Sequence, residues 1–158
     1  MTRFKIVTLT GLGAASLAAL VASVTLASAA PTASATISAR QANFKKMGGA
    51  MKVLKDELGG GADKAKMLAA AKTIAAMARA QVSMFPAGTG ASAGVKTDAL
   101  PAIWSQRAAF DASAKKMIVE ADKLVAAAGS GDSGAIGAQY KVVGATCGAC
   151  HRQFRADD

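Results

Sequence analysis

Residues 146–151 read TCGACH and contain both cysteines and the single histidine of the chain. The spacing Cys147-x-x-Cys150-His151 is the attachment pattern of c-type haem, in which each thiol adds across one vinyl group of the porphyrin. On an α-helix, residues three and four positions apart share a face, so both thiols and the imidazole can reach one cofactor. The stretch therefore predicts one covalent haem c, with His151 as an axial ligand of its iron.

Three other uses of the cysteines fit the sequence less well. A thioredoxin-like redox site belongs in a βαβ context, and the sequence contains no convincing strand. A structural zinc site needs four ligands, whereas this chain offers three candidates. A disulfide between Cys147 and Cys150 is a further alternative, but it would leave the adjacent His151 unexplained.

The first 29 residues have the composition of a signal peptide. Arg3 and Lys5 give a positively charged start, residues 6–26 are uncharged, and residues 27–29 form an A-x-A cleavage site. An uncleaved membrane anchor is the alternative, because the uncharged run is long enough to span a bilayer. Its small and hydroxyl residues favour the signal peptide. We therefore predict a mature domain at residues 30–158 and a periplasmic location.

The charge of the chain is strongly positive. Removal of Arg3 and Lys5 with the signal peptide lowers the net charge from +9 to +7. The lysines are spread over the sequence and aromatic residues are few, so nucleic-acid binding is not expected. The positive surface could weakly steer an acidic redox partner.

The mature chain divides into four helical segments at breaks rich in glycine or proline. Apolar residues recur with helical periodicity in each segment, and Asp63, Asp98 and Asp132 are suitable N-caps. Short connections make neighbouring helices antiparallel, so we predict an all-α, antiparallel four-helix bundle around the haem. The predicted segments are about 34–58, 63–85, 98–129 and 132–155.

Two arginines stand out against these helical patterns. Arg40 lies in an apolar stripe, where an unpaired charge is costly, and a haem propionate would be a bidentate partner. Alternatively, Arg40 lies near a helix start and snorkels to water. Arg155 lies one turn beyond His151 on the same face, where it could cover the imidazole, or it is an ordinary solvated residue near the chain end.

These features resemble the cytochrome c′ family over essentially the whole mature chain. A CxxCH motif alone is shared by many cytochromes, but its position on a C-terminal helix together with an Arg-Gln start is more specific. The matching landmarks are Arg40-Gln41-x-x-Phe44-x-x-Met47-Gly48, Phe85-Pro86-x-Gly88-Thr89, Pro101-x-Ile103-Trp104 and Cys147-x-x-Cys150-His151-x-x-x-Arg155.

The resemblance implies a left-handed bundle, often a homodimer, whose haem iron is bound by the protein only through His151. It also implies haem contacts for Arg40, Gln41, Thr97 and Asp98. Gln41 and Thr97 could equally be surface or capping residues.

The residue four positions after Arg40 decides the expected coordination. Relatives similar to cytochrome c-556 carry a methionine there as sixth ligand, and this sequence has Phe44. The resemblance therefore implies a five-coordinate, high-spin haem with a crowded, apolar distal side at Phe44. We also predict cofactor contacts for Met47 and for Arg155. Met47 and Met51 remain alternative ligands, although methionines at helical spacing more often fill cores.

A crowded apolar pocket offers no hydrogen-bond donor to bound O₂, whereas NO or CO could still enter. We expect a periplasmic protein that binds such diatomic gases and/or transfers electrons to a periplasmic redox partner. The alternative is a six-coordinate, cytochrome c-556-like electron carrier with a methionine ligand. We expect no enzymatic activity, because no distal histidine or acid is available to assist bond cleavage.

Overall fold

The structure, a computed structural model, describes residues 31–156, so the predicted signal peptide lies outside the described residues. Over this range the chain is helical and forms no β-strand, which confirms the predicted all-α class. None of the helices in residues 31–156 is long and apolar enough to cross a membrane. The helices are α1 (Ala33–Asp56), α2 (Lys64–Ala80), α3 (Ala102–Ser105), α4 (Arg107–Ser130) and α5 (Ser133–Phe154).

The four long helices pack in chain order. α1 packs against α2, α2 against α4, and α4 against α5. The remaining pair, α1 and α5, would close the ring, but these two helices approach each other at few positions. The α1–α5 seam is therefore the weakly packed side of the bundle.

Two apolar clusters stabilise this arrangement. The larger one joins all four long helices and contains fully buried side chains such as Leu54, Ile74, Leu124 and Ile136. Each such side chain contributes roughly 1.5–3 kcal/mol through burial. The smaller cluster holds the chain around α3 against the ends of α4 and α5, and it consists of Phe85, Ile103, Phe110 and Phe154.

The predicted N-caps are correct in two of three cases. Asp63 and Asp132 accept hydrogen bonds from backbone N–H groups in the first turns of α2 and α5. Asp98 caps no helix, because α3 begins only after Pro101. The Asp98 carboxylate instead lies 3.5 Å from a guanidinium nitrogen of Arg155.

The predicted third helix is interrupted at Gln106, whose φ of −117° and ψ of 45° are not helical. Tertiary hydrogen bonds explain the break. The indole of Trp104 donates to the Pro86 carbonyl at 3.0 Å, and the guanidinium of Arg107 donates to the Phe85 carbonyl at 3.1 Å. These contacts hold the short α3 against the preceding loop instead of in line with α4.

The second helix is shorter than predicted. α2 ends at Ala80, and a single 3₁₀ turn at Gln81–Ser83 replaces the expected continuation to residue 85.

An extended segment at residues 96–100 pairs with the chain just beyond α5. The N–H of Leu100 donates to the Phe154 carbonyl at 3.0 Å, and the N–H of Ala156 donates to the Asp98 carbonyl at 2.8 Å. The 96–100 segment thereby fixes the end of the helix that carries the Cys-x-x-Cys-His motif.

Candidate functional site

A cavity of about 510 Å³ lies along the α1–α5 seam. Its walls come from α1, α4 and α5, from the 3₁₀ turn after α2 and from the 96–100 segment. The structure brings all ten residues predicted for the site to this one cavity. They are Arg40, Gln41, Phe44, Met47, Thr97, Asp98, Cys147, Cys150, His151 and Arg155.

The two cysteines face the cavity as free, half-buried thiols. Because α5 continues unbroken to Phe154, their three-residue spacing places them on one side of the helix. Burial raises the pKa of both Cys147 and Cys150, so both sulfurs are neutral thiols at pH 7. The Sγ of Cys147 lies 3.9 Å from the Sδ of Met117 on α4. No disulfide joins the two cysteines.

His151 lines the same cavity although the residue as a whole is exposed. Burial of the imidazole lowers its pKa, and the positive charge of Arg155 adds to the effect. The imidazole is therefore neutral at pH 7, which is the form that can bind a metal. Arg155 itself pairs with Asp98, so the structure places a carboxylate beside the arginine that was predicted to cover His151.

An aromatic wall forms part of the cavity, and three of its four rings were not among the predicted site residues. The rings of Phe85 and Phe110 meet edge to face at 4.8 Å between centroids, and those of Phe110 and Phe154 at 5.3 Å. Phe44 adds a fourth ring, 6.3 Å from Phe85. Phe44 follows Arg40 on one apolar stripe and Phe154 follows Cys150 on another, which was the available signal for these two rings.

Arg40 is a buried cation with only 3% of its surface exposed, so it does not snorkel to water. Its Nη1 donates to the Met84 carbonyl and to Thr89 Oγ1, both at 3.3 Å. Its Nη2 donates to the Thr89 carbonyl at 3.0 Å and to Thr97 Oγ1 at 2.8 Å. The guanidinium also lies 4.5 Å from the centre of the Phe85 ring.

The charge of Arg40 has no acidic partner among residues 31–156, and desolvation alone lowers its pKa. Its neutral hydrogen-bond acceptors tie the loop after α2 and the 96–100 segment to α1. Arg40 thus combines a structural role with an uncompensated positive charge at the cavity wall.

We expect Arg40→Met to destabilise the folded haem-containing protein by about 2–3 kcal/mol, because buried carbonyl and hydroxyl acceptors lose their donor. Denaturant unfolding followed by far-UV circular dichroism measures the change. Arg79→Met is the matched control, since Arg79 forms an exposed ion pair with Asp122 worth about 1 kcal/mol or less. Equal losses for the two variants would contradict the assigned role of Arg40.

Gln41 lies beside Arg40 on α1 and is exposed. Its side-chain amide donates to the Lys96 carbonyl at 3.0 Å. Thr97 also accepts the N–H of Ala99 at 3.2 Å. The predicted polar site residues therefore form a connected rim at one end of the cavity.

The residues present fit a covalently attached porphyrin. The cavity is large and mostly apolar, as the faces of a porphyrin require. Two thiols and a neutral imidazole lie on one helix at its wall, and the unpaired cation of Arg40 suits a carboxylate-bearing edge.

The four-helix bundle, the cavity and the Cys-x-x-Cys-His motif on the last helix are together typical of one class of proteins, the bundle-type c cytochromes. The family model described as Cytochrome C' matches residues 35–155. The chain belongs to the cytochrome c′ family, whose members bind covalent haem c with iron.

Two curated relatives illustrate the range of this family. A cytochrome c′ from Rhodospirillum rubrum is 44% identical over 87 residues, which cover 55% of this chain and 58% of the relative. A cytochrome c-556 from Agrobacterium tumefaciens (strain B2A) is 38% identical over 120 residues, which cover 73% of this chain and 93% of the relative. The chain thus spans somewhat more than half of the first relative and nearly all of the second.

Solved structures show the same fold. A cytochrome c′ with an unusual ligand-controlled dimer dissociation has a TM-score of 0.77 at 30% identity, over 82% of this chain and 100% of that one. The nitric oxide complex of a cytochrome c prime variant from Alcaligenes xylosoxidans has a TM-score of 0.72 at 27% identity, over 80% of this chain and 98% of that one.

Proposed function

We propose that the chain is a periplasmic, five-coordinate, high-spin haem protein that binds NO or CO and exchanges single electrons. Cys147 and Cys150 would hold the porphyrin through thioethers, and His151 would bind its iron. When bound, the haem supplies a redox-active iron with a coordination position for a small ligand.

The proposal of five-coordination rests on the position of Phe44. Phe44 is partly buried, lines the cavity and packs against both apolar clusters. A phenyl ring has no lone pair for a metal and no donor for a bound gas. Phe44 therefore excludes water from its part of the α1 wall without polarising a ligand, which disfavours O₂ more than NO. The nitric oxide complex of the Alcaligenes protein supports the choice of ligand.

The polar rim provides the remaining contacts of the proposed site. Arg40 places its positive charge where the propionates of a bound haem can be neutralised. Hydrogen bonds hold this polar rim in place. They involve Gln41, Thr97 and Asp98. Arg155 keeps the Asp98 carboxylate close to the helix that carries His151.

A cytochrome c-556-like electron carrier is the second candidate. Met47 and Met51 both line the cavity, so a thioether sulfur is present on the α1 wall. The Agrobacterium cytochrome c-556 also matches this chain over most of its length. In this alternative a methionine occupies the sixth position and gas binding is weak.

Optical spectra of the purified haem-containing protein distinguish the two candidates. We expect high-spin ferric and ferrous spectra, and a large change when NO is added to the ferrous form. A low-spin spectrum with a methionine–iron charge-transfer band would establish the second candidate and remove the first.

The proposal includes export and assembly. Residues 1–29 direct the chain to the periplasm, and the folded protein forms a homodimer. The dimer dissociation described for a structural neighbour supports this oligomeric state. We assign no catalytic role, since the single histidine of the sequence is committed to the iron. We assign no nucleic-acid-binding role, since the lysines are spread over the sequence and aromatic residues are few.

A further inference from the structure

α1 carries a row of five residues along the edge that borders the α1–α5 seam. Gln41, Lys45, Gly48, Lys52 and Lys55 follow one another in steps of four, three, four and three, so they share one helix face. Gln41 and Gly48 line the cavity. Lys45 therefore lies at the mouth of the cavity, and the exposed Lys52 and Lys55 continue the same face beyond Gly48.

α5 carries a matching row on its own edge. Lys141, Gly144, Gly148, Arg152 and Arg155 follow in steps of three, four, four and three. Gly144 and Arg155 line the cavity, while Lys141 and Arg152 are exposed. The mouth is thus bordered on both sides by basic residues and glycines.

The glycines leave the mouth open. A Cβ atom placed at Gly48 or at Gly144 would meet no neighbouring atom within 4 Å. Glycine at both positions therefore adds no side chain to the border of the cavity. Lysine and arginine side chains can bend aside, whereas bulky side chains at 48 and 144 would keep a partner away from the cavity.

The two rows carry several cations and have few acidic residues beside them. Asp56 is the only acidic residue of α1, and it pairs with Lys52 at 2.6 Å, while α5 contains none. Lys45, Lys141 and Arg152 have no carboxylate partner among residues 31–156. Ion pairs partly offset the cations of α2 and α4 instead. These pairs join Lys66 to Glu57, Arg79 to Asp122, Arg107 to Asp111 and Lys123 to Glu120.

We propose that the two rows form a docking surface for an acidic protein that exchanges one electron with this chain across the α1–α5 seam. The inference rests on the proposed function, because a redox partner needs a haem in the cavity. Positive charge at the mouth attracts the partner, and the glycines let it approach the cofactor edge closely.

Matched charge reversals test the location of the docking surface. Lys45→Glu/Lys141→Glu reverses one charge on each row. Lys72→Glu/Lys115→Glu changes the net charge equally on α2 and α4. Lys72 and Lys115 are exposed and lie two turns before Arg79 and Asp122, the ion pair that joins α2 to α4.

Two measurements on the haem-containing proteins provide the readouts. The first is binding of poly-L-glutamate, an acidic polypeptide probe, by isothermal titration. The second is the rate at which ferricyanide gains the one electron that the ferrous protein loses. At low salt we expect the seam variant to lose about tenfold in both, and the control variant to lose less than about twofold. The difference should shrink at about 1 M salt, where charges are screened.

Equal losses in the seam and control variants would overturn the proposal, because net charge alone would then explain the effect. Loss of binding to phosphatidylglycerol vesicles, with unchanged poly-L-glutamate binding, would overturn it in favour of a membrane surface. The optical spectrum of each preparation separates these outcomes from failure of the proposed function. A low-spin spectrum, or a preparation without haem, would contradict the proposed function itself, whatever the charge reversals do to binding and electron transfer.

Discussion

Replacing both Cys147 and Cys150 with alanine is expected to abolish covalent haem attachment. In the proposed attachment each thiol provides one of the two bonds to the porphyrin, and the sequence contains no other cysteine. The cavity between α1 and α5 then loses the group that fills it, so we also expect lower helix content and a lower unfolding temperature. Haem staining after denaturing electrophoresis and intact mass measure the attachment.

Further variants show which group makes which bond. Cys147→Ala alone should leave one thioether and a smaller yield of haem-containing protein. His151→Ala should retain the thioethers but change the spectrum. Ala149→Ser, at an exposed position between the two cysteines, should mature normally. Haem that stays attached to the doubly substituted chain after denaturation would contradict the assignment.

Phe44→Met is expected to convert the haem from high-spin to low-spin. The substitution places a thioether at the point of the α1 wall where the cavity now meets a phenyl ring. Carbon monoxide must then displace a ligand, so its affinity should fall by about tenfold or more, equivalent to about 1.4 kcal/mol. Optical titration of the ferrous protein measures both effects.

Phe44→Leu is the control for this experiment, because leucine also changes the packing but offers no ligand. It should remain high-spin and bind carbon monoxide at least as well as the unmodified protein. An unchanged high-spin spectrum in Phe44→Met would show that position 44 does not face the iron.

Much of the fold could be predicted because it depends on local patterns. Apolar periodicity identified the buried faces of the four long helices, including the row that contains Cys147. Asp63 and Asp132 were recognised as caps because a carboxylate before a helix satisfies free N–H groups wherever the helix packs. The Cys-x-x-Cys-His spacing identified residues of the cavity wall because it, too, depends only on neighbouring positions in the sequence.

The errors come from contacts that are distant in sequence. Nothing around Gln106 signals a helix break, because the break depends on hydrogen bonds from Trp104 and Arg107 to a loop twenty residues earlier. Asp98 looks like a cap, but its carboxylate is used by Arg155. For Arg40 the sequence indicated burial of a charge, whereas its partners in the loop after α2 required the structure.

The sparse packing between α1 and α5 bears on what the cofactor contributes to the fold. The other neighbouring pairs of long helices pack directly against each other, whereas the cavity lies between α1 and α5. A porphyrin in this cavity would touch both helices at once. It would therefore act as a bridge between the two helices that contact each other least.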